Sequence, residues 1–476
     1  MTSTKTETKE PRPTGRSRAQ RRVLWACCGV AAVVAILILA LTVDWGGVSI
    51  VTGWFPAFLM WLTIAVAVVA VVLRRDVLRE WAIGIPVGIV LVVLLLLALH
   101  FTGVIPAGAP QSMYVWLIVA CVVAGLVGAG WHRAHWARRV AGVVAVVLTV
   151  VTAGSAANQT FQYYPTFNRL LGKNANHFLN NSQLNALRKE VAKTGQLPDH
   201  GATLSLPIPG KGLKYTPREA YVWVPPAWFG PKTKKLPVIE LLHGTPGQPS
   251  DWTRAIYADQ ISLAYAQKHD GVAPILVMPD INGTLSGDTE CANTPMYGQV
   301  ETYLTQTVPA FMRKEFNASA APDSTAIAGL SEGGLCSTTL AIKNPQVYAA
   351  FGNYSGDAAP TYQDESKEQS IQTLFGGSTA LYDSYNPQYL LTHSRYPELS
   401  GWFETGAQDP VLPAAHQLQK LSENAGMNTC ITTPPGAHSF SFWETSFTDS
   451  LPWLSWKLKL TPQPASVPAQ CAPGKG

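Results

Sequence analysis

Before residue 158 the chain carries five long apolar runs, at 23–43, 54–73, 82–101, 113–130 and 140–156. Each is close to the ~20 residues a helix needs to cross the hydrocarbon core of a bilayer. Few other fates are open to such segments, because backbone polar groups must be satisfied internally once water is excluded. A signal peptide accounts for the first run at most, since four more follow it. The last run is short and rich in Ala, Val and Thr, and carries the weakest signal of the five. The expected architecture therefore begins with a basic tail (1–22) and a five-helix membrane domain (23–157).

Charge orients these runs. Residues 1–22 hold Lys5, Lys9, Arg12, Arg16, Arg18, Arg21 and Arg22 against Glu7 and Glu10. The connection after the second run holds Arg74, Arg75 and Arg79, and that after the fourth holds Arg133, Arg138 and Arg139. The other two connections carry no Lys or Arg. By the positive-inside rule the N-terminus and the Arg loops face the cytoplasm, and five crossings then place everything after residue 157 outside the cell membrane. The net charge of +5 is a topology signal rather than a nucleic-acid arm, because after residue 157 the chain holds 22 Lys and Arg against 25 Asp and Glu. The runs contain almost no ionisable residue except His100, near a run's end, so they read as an anchor rather than a transport path.

Residues 158–200 form a junction. Its start, NQTFQYYPTFNRLL, has the aromatic content expected where a chain leaves the headgroup zone, or of an amphipathic packing helix. A helix is predicted over 182–195, with Ser182 as N-cap and Gly195 as C-cap. Residues 201–460 suit one extracytoplasmic α/β domain, followed by a Pro-rich tail (461–476).

The chemistry lies in that domain. GLSEGG (329–334) follows a short apolar run and leads into LCSTTLAIKNP, a helix stopped by Pro345. Strand, sharp turn and helix is the setting in which G-x-S-x-G holds a serine hydroxyl in the open. Ser331 is the expected nucleophile, and the Glu332 N–H, at a helix N-terminus, an expected oxyanion donor. The second donor is expected from LPVIELLHGTPG (236–247), a buried strand entering a Gly-rich turn; Thr245 is assigned, since Pro246 has no N–H. A serine needs a base and the base an orienting acid. In this fold class they follow in the order Ser, acid, His. Asp409, just after a predicted strand, and His438, in a loop before an aromatic run, fit that order. Glu404 is the rival acid; His393 and His416 are the rival bases. His243 reads as organising its loop, and with Gly244 it is expected at the substrate side of the turn. No metal, phosphate-loop or dinucleotide motif appears, so no cofactor is implied.

Residues 215–457 resemble the esterase D group of α/β-hydrolases, which includes the mycolyltransferases of the cell envelope. The matching pieces are AYVWVPPAWF (220–229), LLHGTPGQPSDW (241–252), VMPDING (277–283), VETYLTQTVPAFM (300–312), GLSEGG, FGNYSGD (351–357) and HSFSFW (438–443). The resemblance implies a mostly parallel sheet with helices on both faces, a Ser-acid-His triad and carboxyl-ester chemistry. The position of Asp409 is similar to that of the plain esterases rather than the mycolyltransferases. The layout, several spans before such a domain, also resembles the aminoacyl-phosphatidylglycerol hydrolases of actinobacterial type.

Cys27, Cys28 and Cys121 lie in the apolar runs and read as small apolar residues. Cys291, Cys336, Cys430 and Cys471 make an even set in an oxidising compartment, which implies two disulfides. Three pairings are possible; Cys291–Cys336 is favoured because the helix after Ser331 should lie near the DTECAN loop, leaving Cys430–Cys471. The expected partner is a membrane lipid or lipid-linked ester, since tethering concentrates such substrates at the site. Glu332, Asp280 and Asp357 are expected near the cleft, where carboxylates would suit an ammonium group such as that of an aminoacyl lipid. Two other functions fit: an acyltransferase acting on envelope sugars, for which Trp252, Trp402 and Trp443 would build a sugar site, and a non-catalytic envelope-assembly protein.

Overall fold

The computed structural model describes residues 44–72, 77–102, 110–173, 178–230, 235–321 and 323–465. The apolar run at 23–43 lies outside them, so the described chain has four helices long and apolar enough to cross a membrane rather than five. They are α1 (Trp54–Val72), α2 (Val77–Thr102), α3 (Gln111–Ala129) and α4 (Trp136–Phe161). Small residues bring α2 and α3 together: a Cβ on Gly84 would stand 2.7 Å from the Leu126 Cα, and one on Gly125 2.4 Å from the Gly84 carbonyl oxygen. Such residues four apart let helix backbones approach closely. Thr63 and Thr152 share a 2.8 Å hydrogen bond between α1 and α4. At the Arg-rich end, Arg138 pairs with Glu80 at 3.1 Å.

The fourth helix runs beyond its apolar stretch at both ends. Backbone bonding continues to Phe161, and the turn is broken only by Gln162 in the left-handed region (φ 54°), whose N–H caps the Asn158 carbonyl. The end residues Asn158 and Phe161 are thereby carried past the apolar run on the same helix. After the junction comes α5 (Asn181–Thr194). Its N-cap is Asn180, not Ser182: Asn180 Oδ1 accepts the Gln183 N–H and Gln183 Oε1 accepts the Asn180 N–H, both at 2.9 Å, a reciprocal box that Ser182 cannot make from inside the first turn. Gly195 is the C-cap at φ 71°.

The C-terminal part is built on an eight-stranded sheet. Its strands are β1 (Ala202–Leu206), β2 (Ala220–Val224), β3 (Val238–Leu242), β4 (Ile275–Met278), β5 (Thr325–Leu330), β6 (Ala350–Tyr354), β7 (Ser400–Glu404) and β8 (Asn428–Thr432). Their order is β1-β2-β4-β3-β5-β6-β7-β8; β2 pairs antiparallel with both neighbours, and all pairs from β4 onward are parallel. The central strands are buried on both faces, as parallel strands covered by helices must be. Along β4, Ile275 and Val277 enter one core while Leu276 and Met278 enter the other. Helices α6 (Ala258–Gln267), α7 (Val308–Glu315), α8 (Glu332–Lys343), α9 (Leu412–Asn424) and α10 (Phe440–Lys457) cover the sheet. This is an α/β-hydrolase-like domain, and the carboxyl ends of β3, β5 and β7 deliver their loops to one edge. Cys291 is bonded to Cys336, fastening the DTECAN loop to α8. Cys430 is also disulfide-bonded, while Cys471 lies outside the described residues.

Candidate active site

Ser331 stands between β5 and α8 at φ 55°, ψ −124°, in a conformation L-residues rarely adopt. Two glycines make the turn possible. A Cβ on Gly329 would lie 2.0 Å from the Gly333 carbonyl oxygen, and one on Gly333 2.4 Å from that of Leu242. The Ser331 N–H is held by the Tyr354 carbonyl at 2.9 Å. His438 Nε2 lies 3.0 Å from Ser331 Oγ, and His438 Nδ1 lies 3.2 and 3.1 Å from the two Asp409 oxygens. The His438 ring meets Trp443 edge-on at 4.8 Å. Burial pushes the Asp409 carboxyl up, but the hydrogen bond and charge of His438 and the Val411 N–H outweigh it and hold it below the usual range. A hydroxyl, an imidazole and an ionised carboxylate in one row can activate the hydroxyl for attack on a carbonyl.

The rival residues stand elsewhere. Glu404 is buried and accepts from the Trp402 indole at 2.9 Å; burial first, and then the Asp449 charge, raise it to about 7. His393 is stacked on Tyr389 in an exposed position, and His416 is exposed on α9.

Gly244 and Thr245 border the serine; a Cβ on Gly244 would sit 3.0 Å from Ser331 Cβ. Among the described residues the N–H groups of Thr245 and Glu332 have no acceptor, which leaves both free for an oxyanion. A buried network fixes them. Asn282 Nδ2 donates to Thr245 Oγ1 at 2.6 Å and to Glu332 Oε2 at 2.7 Å, and the Glu290 N–H donates to Glu332 Oε1 at 3.2 Å. Thr245 Oγ1 is also hydrogen-bonded to Glu332 and lies 3.1 Å from the Gly287 carbonyl. Burial and then the nearby Asp288 charge push the Glu332 carboxyl up to about 8. The proton count agrees: one threonine proton cannot serve both the Gly287 carbonyl and a carboxylate, whereas a neutral Glu332 supplies the second.

Ser331 and His438 open into a cavity of about 500 Å³. Its wall includes Gly244, Thr245, Gln248, Asp251, Arg254, Leu330, Phe440 and Trp443, together with Gly154, Ala157, Asn158, Phe161, Tyr163 and Tyr164 from α4 and the turn after it. Of the four residues expected to bind substrate, Gly244 lines this cavity and the other three do not. His243 is fully buried, bridging the Gly244 carbonyl (2.8 Å) and Asp280 (3.1 Å). Asp280 is also buried and is spent on Arg218 at 2.5 Å and on the Arg218 and Gly283 N–H groups. Asp357 lies towards Glu290, whose carboxyl its charge helps to raise. A buried carboxylate is kept only when paired, so Asp280 organises its loop, and half-buried Asp357 lies outside the cavity lining. Trp252 and Trp402 are buried core residues and Trp443 packs against the histidine, so they form no open sugar platform.

Residues 215–454 match the family described as "Putative esterase". The chain belongs to this esterase family. An uncharacterized protein of Corynebacterium glutamicum is 29% identical over 320 residues, 65% of this chain and 74% of that one. Among solved structures, the S-formylglutathione hydrolase of Agrobacterium tumefaciens is similar at 18% identity and TM-score 0.45, covering 55% of this chain and 98% of that one. MPT51 of Mycobacterium tuberculosis is similar at 17% identity and TM-score 0.40, covering 54% and 97%.

Some of the esterase's site escaped the sequence reading. Asn282 lies in VMPDING, where an amide close to Asp280 reads as a turn former. Asp251 follows Ser250 in a loop and reads as a cap; in the fold it accepts from the Tyr163 hydroxyl at 2.8 Å. No local pattern marks a contact across 88 residues. Arg254 reads as an ordinary helix-end cation.

Proposed function

We propose that this protein is a membrane-anchored serine esterase, acting outside the cell membrane on a carboxyl ester of an envelope lipid, with aminoacyl-phosphatidylglycerol as the best candidate. The observation that carries this reading is that the Ser331–His438–Asp409 row opens into a cavity walled partly by a membrane helix. In the proposed reaction His438 takes the Ser331 proton as Oγ attacks the ester carbonyl. The Thr245 and Glu332 N–H groups hold the oxyanion. The intermediate collapses, and the alcohol leaves with the proton from His438. Water, deprotonated by His438, then attacks the acyl-enzyme and releases the acid.

Arg254 supports an anionic lipid as the alcohol part. It stands in the cavity wall, exposed, and among the described residues it is paired with no carboxylate. A guanidinium in that position suits a phosphodiester. Glu332, Asp280 and Asp357 do not line the cavity, so the aminoacyl reading rests on the lipid part and not on recognition of the amine.

The test is the lipid profile of membranes that express the wild type or Ser331→Ala together with an aminoacyl-phosphatidylglycerol synthase. Aminoacylated lipid should fall with the wild type alone. Matching profiles would remove this substrate.

A further inference from the structure

We infer that the last membrane helix is part of the active site, and that one face of α4 binds the hydrocarbon of the lipid substrate as it passes from the bilayer to Ser331. The inference rests on the esterase reading above and adds the binding site for the chain. Gly154, Ala157, Asn158 and Phe161 line the cavity, and their spacing of three, four and seven places them on one face of the helix. The same face continues down the helix to Val151, Val150 and Val147, which are 49%, 50% and 53% exposed. The surface from the membrane-facing part of α4 to the catalytic row is therefore apolar except at Asn158, whose amide is engaged by the Tyr164 backbone. Only small side chains stand where the two meet. A Cβ on Gly154 would find nothing within 4 Å, so the space beside it is open. From Gly154 to Phe161 the helix rises about 10 Å, enough to accompany the upper part of an acyl chain.

The wall is held in place from the hydrolase side. Tyr163, just after α4, donates to buried Asp251 and meets the Phe440 ring edge-on at 4.8 Å. Arg169 makes a two-pronged ion pair with Glu444 of α10, at 2.6 and 2.8 Å, and its guanidinium lies over the Tyr257 ring at 4.1 Å. Bidentate pairs of this kind fix geometry as well as adding energy. Both α10 anchors lie within six residues of His438. The helix end and the catalytic histidine are thus referenced to the same element.

The experiment uses the full chain in lipid nanodiscs, with the ethyl and dodecyl esters of alanine as probes. Gly154→Phe fills the open space. It should lower kcat/KM for the dodecyl ester about tenfold or more beyond whatever it does to the ethyl ester. Equal effects on both esters, or none, would overturn the inference. A second measurement needs no turnover: in Ser331→Ala, a phosphatidylglycerol carrying a diazirine in its acyl chain should crosslink within 154–161. Crosslinks found only elsewhere on the chain overturn the lipid site even if the esterase is active. Crosslinking at α4 without hydrolysis of either ester by the wild type would instead overturn the esterase reading and keep the lipid site.

Discussion

At Ser331 the backbone is held in a sparsely populated conformation by surrounding structure, and that strain exposes the hydroxyl to both His438 and the cavity. Ser331→Ala should lower kcat by about 10⁴-fold or more, and His438→Ala nearly as much. The double variant should be no worse than either single one, since the two act as a unit; additive losses would count against the proposed mechanism. Glu332 offers a test of a different kind. Its folded value, about 8, lies above the ordinary 4.5. The unfolded chain therefore loses this proton first, so the group's contribution to stability is fully present below 4.5 and is lost as pH rises to about 8. Ionisation would also place a negative charge at the residue whose N–H holds the oxyanion. Glu332→Gln keeps the hydrogen-bonding shape without the charge. It should show a flatter decline in melting temperature between about pH 5 and pH 8 and in kcat between about pH 7 and pH 9, read by scanning calorimetry and ester hydrolysis. An unchanged alkaline limb would assign the decline to another group.

At the scale of elements, the legible features were the local ones. Short continuous apolar runs, the glycine-flanked elbow and the Ser–Asp–His order all depend on residues a few positions apart or on chain order, and they placed β3, β5, the turn and the expected row of Ser331, Asp409 and His438 in sequence. Helix ends were less legible, because hydrophobicity reports where a helix meets lipid and not where its hydrogen bonding stops; α4 outruns its apolar stretch for that reason. Least legible were contacts made across the chain. Asn282 reaching Thr245 and Glu332, and Tyr163 reaching Asp251, are set by how loops dock and leave no periodic trace. The Cys291–Cys336 bridge binds such a loop to α8. It closes a segment of 45 residues, for which the chain-entropy estimate is about 4 kcal/mol. Cys291→Ser with Cys336→Ser should therefore lower the melting temperature. It should also lower kcat, because Asn282 and the Glu290 N–H, which position Glu332, lie in or beside the same loop. A variant with unchanged melting and turnover would show that the bridge supports neither.

For the whole molecule, the question is which side of the membrane the esterase faces, and charge is the force that decides it. Arg133, Arg138 and Arg139 cluster at one end of the helical bundle, where Arg138 also clamps Glu80, while the connections at the other end carry no basic residue. Moving several guanidinium groups through a bilayer is costly, so the proposed topology keeps this end in the cytoplasm during insertion. The opposite end of α4 lines the cavity at Ser331, so under the proposed topology Ser331 lies beside the outer leaflet. Because α4 carries both the Arg cluster and the cavity wall, the two ends cannot be oriented independently. In a background with Cys27, Cys28 and Cys121 all replaced by Ser, a membrane-impermeant maleimide applied to intact cells should label Lys193→Cys, on exposed α5, and spare Arg133→Cys until the cells are permeabilised. Labelling of Arg133→Cys alone would place the cavity against the inner leaflet. The substrate would then have to be sought among cytoplasmic-leaflet esters, since a helix-walled cavity draws from the leaflet it opens on.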